Sequence, residues 1–226
     1  MTWLTPYFAA SLIGFTVYRR SRVLAFVVGL GAAAYPFVAL VSLDVERDHT
    51  PVVYDAALTQ LDGAIGHAVV RASQAILRAS MIVAAVVKWA YEWNLPLALT
   101  LAALSDRRER LALALALAGA LGLVCYLIFP AVGPGASADD YRNAMPSVHF
   151  AVTLLTAVAL WRSGALARSL GATFVLVTAV ATLGFREHYL VDLLAAVPFA
   201  AAVWLIATRE YIGTVHSPAV TLEPPT

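Results

Sequence analysis

Two short stretches of this chain carry residue types that can work on a phosphate. In "REHYLVDLLAA", residues 186–196, His188 and Asp192 stand four apart. On a helix that spacing puts both on one face. A carboxylate placed there can accept a hydrogen bond from one ring nitrogen of His188, which fixes the tautomer and leaves the other nitrogen free as a nucleophile. "NAMPSVHFA", residues 143–151, offers different groups. Pro146 suits the first turn of a helix. The unpaired N–H groups of such a turn, with the Ser147 hydroxyl, can hold phosphate oxygens. His149 is close enough in sequence to give or take a proton at the same anion. Arg142, just upstream, can add a bidentate phosphate contact.

The surrounding elements must then bring the two stretches to one place. Of the 226 residues, 61% are hydrophobic and 13% are charged, against roughly 45–50% apolar and 25% charged in soluble domains. The excess points to an all-α, polytopic transmembrane bundle. Seven runs approach the roughly 20 apolar residues of a helical span: 2–18, 23–43, 79–104, 111–129, 147–161, 170–185 and 188–207. Residues 54–77 differ: their apolar positions recur at helical spacing but are interrupted by Asp55, Asp62, His67 and Arg71. That pattern predicts an amphipathic helix on the outer surface. Residues 1–210 form a single transmembrane domain in this reading, and the proline-bearing 211–226 is an unstructured tail.

Positive charge sets the orientation. "RRSR", "DRRER", the Arg162–Arg168 loop and Arg209 alternate onto one side, which is then the cytoplasm. The N-terminus lies outside, the C-terminus inside, and both polar stretches open helices on the outer face, in a membrane expected to be a bacterial cytoplasmic one. A net charge of +1 offers no polybasic surface for nucleic acid. The single cysteine, Cys125, allows neither an internal disulfide nor a thiolate metal site.

Each polar residue also has a bland reading. An intramembrane histidine serves equally well as an interfacial anchor or a helix-to-helix hydrogen bond, and Tyr189 as an interface anchor or as a donor near the phosphate. Ser147, His149, His188 and Asp192 together on one side favour function, because such groups are costly in a membrane. Lys88 and Glu92, four apart in the third span, neutralise each other or form a polar wall of a substrate cavity; the former is preferred. His49, His67 and His216 have no partners at ligand spacing and read as surface residues.

The paired motifs carry a resemblance. "MPSVH" followed by "EHYLVDLLAA" resembles the second and third signatures of the type 2 phosphatidic acid phosphatase superfamily, and more closely its inositolphosphotransferase-like branch, which includes inositol phosphorylceramide synthase. The likeness covers about Leu111 to Leu205. It implies a six-helix phosphatase-like core, so that one N-terminal span is extra. It also implies that His188 attacks phosphorus to form a phosphohistidine, that Asp192 orients it, that His149 serves the leaving and incoming oxygens, that Ser147 binds phosphate, and that neither metal nor cofactor is required. The chain departs from the phosphatase pattern in three places. "FPAVGPGASADDYR" lacks the lysine of the first signature, Thr182 stands where phosphatases carry an arginine, and valine replaces glycine in P-S-G-H. Arg142 and Arg186 are the substitute phosphate clamps.

The expected function is therefore a lipid phosphatase cleaving a phosphoester or phosphoanhydride. The same chemistry with an alcohol acceptor gives a head-group phosphotransferase. A lipid transporter or binding protein is the rival from another class, disfavoured by the absence of repeated halves.

Overall fold

The computed structural model describes residues 4–49, 53–135 and 143–216; side chains are described to residue 45 in the second helix and to residue 209 in the last. Among the described residues the chain is all-helical: α1 Thr5–Val17, α2 Arg22–His49, α3 Asp55–Ala79, α4 Met81–Glu92, α5 Asn94–Ala102, α6 Arg108–Ile128, α7 Val148–Leu160, α8 Ala165–Gly184 and α9 Leu190–His216. This is the polytopic helical bundle that the composition implies. Helices α2, α6, α8 and α9 are long and apolar enough to cross a membrane, and a fifth span arises if the bent pair α3–α4 counts as one. The protein is a membrane protein.

The spans differ from the sequence expectation in identifiable ways. Hydropathy measures apolarity, not helix length, and α1 and α7 contain 13 residues each, about 20 Å at 1.5 Å per residue. The expected span 79–104 is two helices, broken at Trp93. Pro96 explains the break, because its ring would clash with the carbonyl of residue 92 in a continuous helix. Asn94 then turns inward, donating from its amide to Thr178 Oγ1 at 3.3 Å. The expected unstructured tail begins too early. Nothing stronger than Gly213 interrupts "EYIGTVH", and α9 continues to His216; residues 217–226 lie outside the described residues. His49 and His216 lie beyond the described side chains.

Small residues make the centre. Ala10, Ala98, Ala114, Ala118, Ala151 and Ala159 are all fully buried, letting backbones approach where lipid offers no hydrophobic drive. Two buried hydroxyls are satisfied within their own helices: Thr156 Oγ1 donates to the Val152 carbonyl and Thr182 Oγ1 to that of Thr178, the local bonding that lets polar side chains sit in an apolar core. Large apolar side chains such as Phe26, Leu30, Leu127, Leu176 and Leu205 face outward, as lipid-exposed surfaces require.

Helix α3, the expected amphipathic helix, is also tied into the bundle. It meets α4 at a bend of 117° and packs against α8 and α9. Its N-terminal half lies over the ends of the bundle where α7 and α9 begin, through the contacts described next.

Candidate active site

The starts of α7 and α9 are tied to each other directly. The Ser147 backbone N–H donates to the Asp192 carbonyl at 3.3 Å. The His188 ring meets the Ala144 carbonyl through Nδ1 at 2.8 Å. The connecting loops close over this junction: Gly133 comes so near the Glu187 carbonyl, and Gly135 so near that of Arg186, that a side chain at either would collide. His149 lies within electrostatic range of His188. The two motif stretches, some 40 residues apart, thus lie together at one junction.

His188 is buried, and its tautomer follows from its partner. A carbonyl oxygen only accepts, so in the neutral ring Nδ1 carries the proton and Nε2 keeps its lone pair. The expected acceptor was Asp192. Its Oδ2 lies 3.6 Å from His188 Nδ1, too far for a hydrogen bond, because it already accepts the Tyr189 backbone N–H at 2.8 Å. Asp192 therefore acts on His188 as a close charge, while the Ala144 carbonyl holds the ring. Asp192 is fully buried, and its Oδ1 has no hydrogen-bond partner among the described residues.

The first turn of α9 has no free donors. Asp192, at the third helical position, takes the Tyr189 N–H in the manner of a capping box. The next two N–H groups go to a residue from α3: Leu190 donates to Asp62 Oδ2 at 2.9 Å and Val191 to Asp62 Oδ1 at 2.8 Å. The stretch "LDGAIG", residues 61–66, makes this reach possible. Gly63 adopts φ 50° inside α3, a conformation that costs a side-chain-bearing residue strain. At Gly66, a Cβ would sit 2.5 Å from the Asp62 carboxyl. A second α3 carboxylate, Asp55, accepts the N–H groups of Val132 and Gly133 at 3.0 and 2.9 Å and the Tyr189 hydroxyl at 3.1 Å. Tyr189 is accordingly spent on α3 and does not face a substrate cavity.

These contacts make a prediction. Asp62→Ala removes a cap from two buried-end N–H groups, which costs about 1–2 kcal/mol, and frees the segment that carries His188. Thermal unfolding in detergent is expected at a lower temperature, with turnover reduced about tenfold or more; Asp62→Asn, which keeps one acceptor oxygen, falls between. Unfolding and turnover equal to wild type in Asp62→Ala would show that α3 does not hold the site.

The first turn of α7 contrasts with that of α9. Ser147 is the N-cap, its Oγ accepting the Phe150 N–H at 3.4 Å. Pro146 thus precedes the cap and is not inside the first turn, because the Ser147 side chain takes the capping position. The Val148 N–H is met by the Tyr126 hydroxyl oxygen; among the described residues no hydrogen bond is seen on the N–H of His149, so this helix start retains one donor for an anion. The His149 ring is held by Tyr91 from α4, with centroids 4.6 Å apart. Neither Tyr91 nor Asp62 stands out in the sequence as part of the site; the glycines flanking Asp62 were the one visible signal.

The remaining candidates are dispersed. Arg142 lies outside the described residues. Arg186 is exposed, has φ 63°, and donates from Nη2 to the Pro134 carbonyl at 2.7 Å, so one edge of its guanidinium braces the loop. Thr182, where phosphatases carry arginine, turns its hydroxyl into α8 and receives the Glu187 and His188 N–H groups on its carbonyl. Lys88 and Glu92 pair at 3.8 Å with both side chains more than half exposed, which fits mutual neutralisation. Of the three residues expected at a substrate cavity, Glu92 lines the cavity that His149 and Asn143 also line, whereas Lys88 and Tyr189 are not in its wall.

Apolar helices around a junction of two helix starts, with a tautomer-fixed histidine, a buried aspartate and a second histidine, define a helical membrane protein with a histidine-based site. Residues 135–206 match the family model described as PAP2 superfamily, the segment that holds Ser147, His149, His188 and Asp192. The match is at superfamily level and supports phosphatase-type activity on phosphoesters, as hydrolase or phosphotransferase. No curated protein and no solved structure matches the chain.

Proposed function

We propose that the protein cleaves a lipid phosphoester or phosphoanhydride at the outer face of a membrane, through a covalent phosphohistidine. The observation that carries this reading is the His188 ring: its Nδ1 is engaged by the Ala144 carbonyl at 2.8 Å, which leaves Nε2 as an unprotonated nucleophile. Nε2 attacks phosphorus, the bond from phosphorus to the lipid oxygen breaks, and that oxygen takes a proton from His149. Water then attacks the same phosphorus, passes its proton to His149, and the N–P bond breaks to release phosphate. Asp192 offsets the positive charge that His188 gains. The His149 backbone N–H at the start of α7, the Ser147 hydroxyl, Arg142 and Arg186 hold the phosphoryl oxygens.

An alcohol in place of water gives head-group transfer by the same steps. That second reading draws on the missing arginine at Thr182 and on the likeness of "MPSVH" and "HYLVD" to the inositolphosphotransferase-like branch.

The test is a panel of lipid phosphates, lipid diphosphates and phosphodiesters, each incubated with purified protein with and without alcohol acceptors. Phosphate release is the expected result for a phosphatase, and a new phosphodiester in the presence of an alcohol for a transferase. Absence of both across the panel would leave transport or lipid binding as the function.

A further inference from the structure

A cavity of about 930 Å³ lies beside the site, between the α1–α2 pair and helices α5, α6 and α7. It is near the upper end of the roughly 300–1,000 Å³ typical of ligand pockets. Its origin lies in the residues that face each other. On α6 the lining includes the small residues Ala112, Ala116, Gly119 and Ala120, and on α2 it includes Gly31 and Ala32. Small residues normally let membrane helices close on one another. Here the Tyr35 ring stands between, with its edge 3.1 Å from where a Cβ of Gly119 would be, and the space beside it stays open.

The lining is not uniform. Polar groups run in a chain towards the site. The Tyr7 and Tyr35 rings lie 6.3 Å apart, Tyr126 is in electrostatic range of Tyr35 and Tyr91, and Tyr91 packs on His149. His149 and Asn143 line the cavity themselves. Away from them the walls are aliphatic, with Val38, Leu40, Leu99 and Leu123 among them. Such a space does not hold water well, and it is continuous with the group that would serve the leaving oxygen.

We infer that this cavity seats the hydrocarbon of an amphiphilic phosphate ester whose polar end lies at His149 and Asn143. The inference rests on the phosphoester reading and adds that the α1–α2 pair, which the family match at 135–206 does not include, forms the wall that selects chain length. Ala116 and Ala120 are exposed to the open space and sit one turn apart on α6, so bulk there enters the cavity without displacing a core contact.

Wild type, Ala116→Phe and Ala120→Phe are compared on a short-chain and a long-chain phosphatidate in one detergent. The ratio of kcat/KM, long over short, is expected to fall at least about tenfold in each variant, the effect of excluding about two methylenes. An unchanged ratio in both variants overturns the inference while leaving the phosphoester reading intact. Should the wild type turn over neither ester, the phosphoester reading is decided by the wider panel of lipid phosphates, diphosphates and phosphodiesters, and binding of non-hydrolysable long- and short-chain alkylphosphonates decides the cavity. Tighter binding of the long chain by wild type, lost in the variants, supports it; equal binding of the two chains overturns it.

Discussion

His188→Ala is expected to lower turnover by about ten-thousandfold or more, with little change in the amount of folded protein. The size follows from the loss of the nucleophile, since removing the attacking group of a covalent mechanism removes the pathway and not one contribution to it. The folding expectation follows from the contacts. The His188 backbone N–H donates to the Thr182 carbonyl whatever the side chain, and the one side-chain bond lost is to the Ala144 carbonyl, a net cost of about 1 kcal/mol. Turnover assays on the purified variant, with unfolding followed in parallel, check both parts. Activity within tenfold of wild type would show that phosphorus is attacked by something else.

His149→Ala is expected to cost about a hundredfold to ten-thousandfold, the range for a positioned general acid and base. Its signature distinguishes it from His188. Lipid alcohols are poor leaving groups and need a proton, whereas a nitrophenolate does not. With a nitrophenyl phosphate ester the formation of the phosphohistidine should therefore be far less impaired by His149→Ala than with a lipid phosphate. Tyr91 packs against the His149 ring at a tilt of 35°, with centroids 4.6 Å apart. Single-turnover rates with the two substrates make the comparison. An equal defect on both would assign His149 to binding the phosphate and not to proton transfer.

The class of fold was legible because an apolar fraction of 61% leaves few alternatives, and the two helix starts were legible because His188 and Asp192 repeat at helical spacing beside a Pro-Ser helix opening. Side-chain spacing says nothing about backbone acceptors, and so the Ala144 carbonyl, not Asp192, proved to be the hydrogen-bond partner of His188. Contacts between distant elements were equally hidden. Asp55 and Asp62 read as the polar face of a surface helix; in the folded chain Asp62 caps α9, and Asp55 holds the 132–133 backbone and Tyr189. Pro96 was visible inside the expected third span, but apolarity on both sides of it outweighed the break, and a proline alone does not dictate one, since Pro36 and Pro198 lie inside the continuous helices α2 and α9. The α1–α2 pair gave no sign of function, because a cavity is formed by what small residues leave empty.

The central claim is a phosphoryl group carried on His188, and the most direct measurement is to trap it. Protein mixed with a phosphorus-labelled lipid phosphate and quenched within a turnover is digested and its labelled peptide sequenced. The account predicts label that is lost in acid, survives alkali, maps to the peptide containing His188 and is absent from His188→Ala. Label on another residue, or rapid turnover with no label retained on the protein at any time, would contradict it.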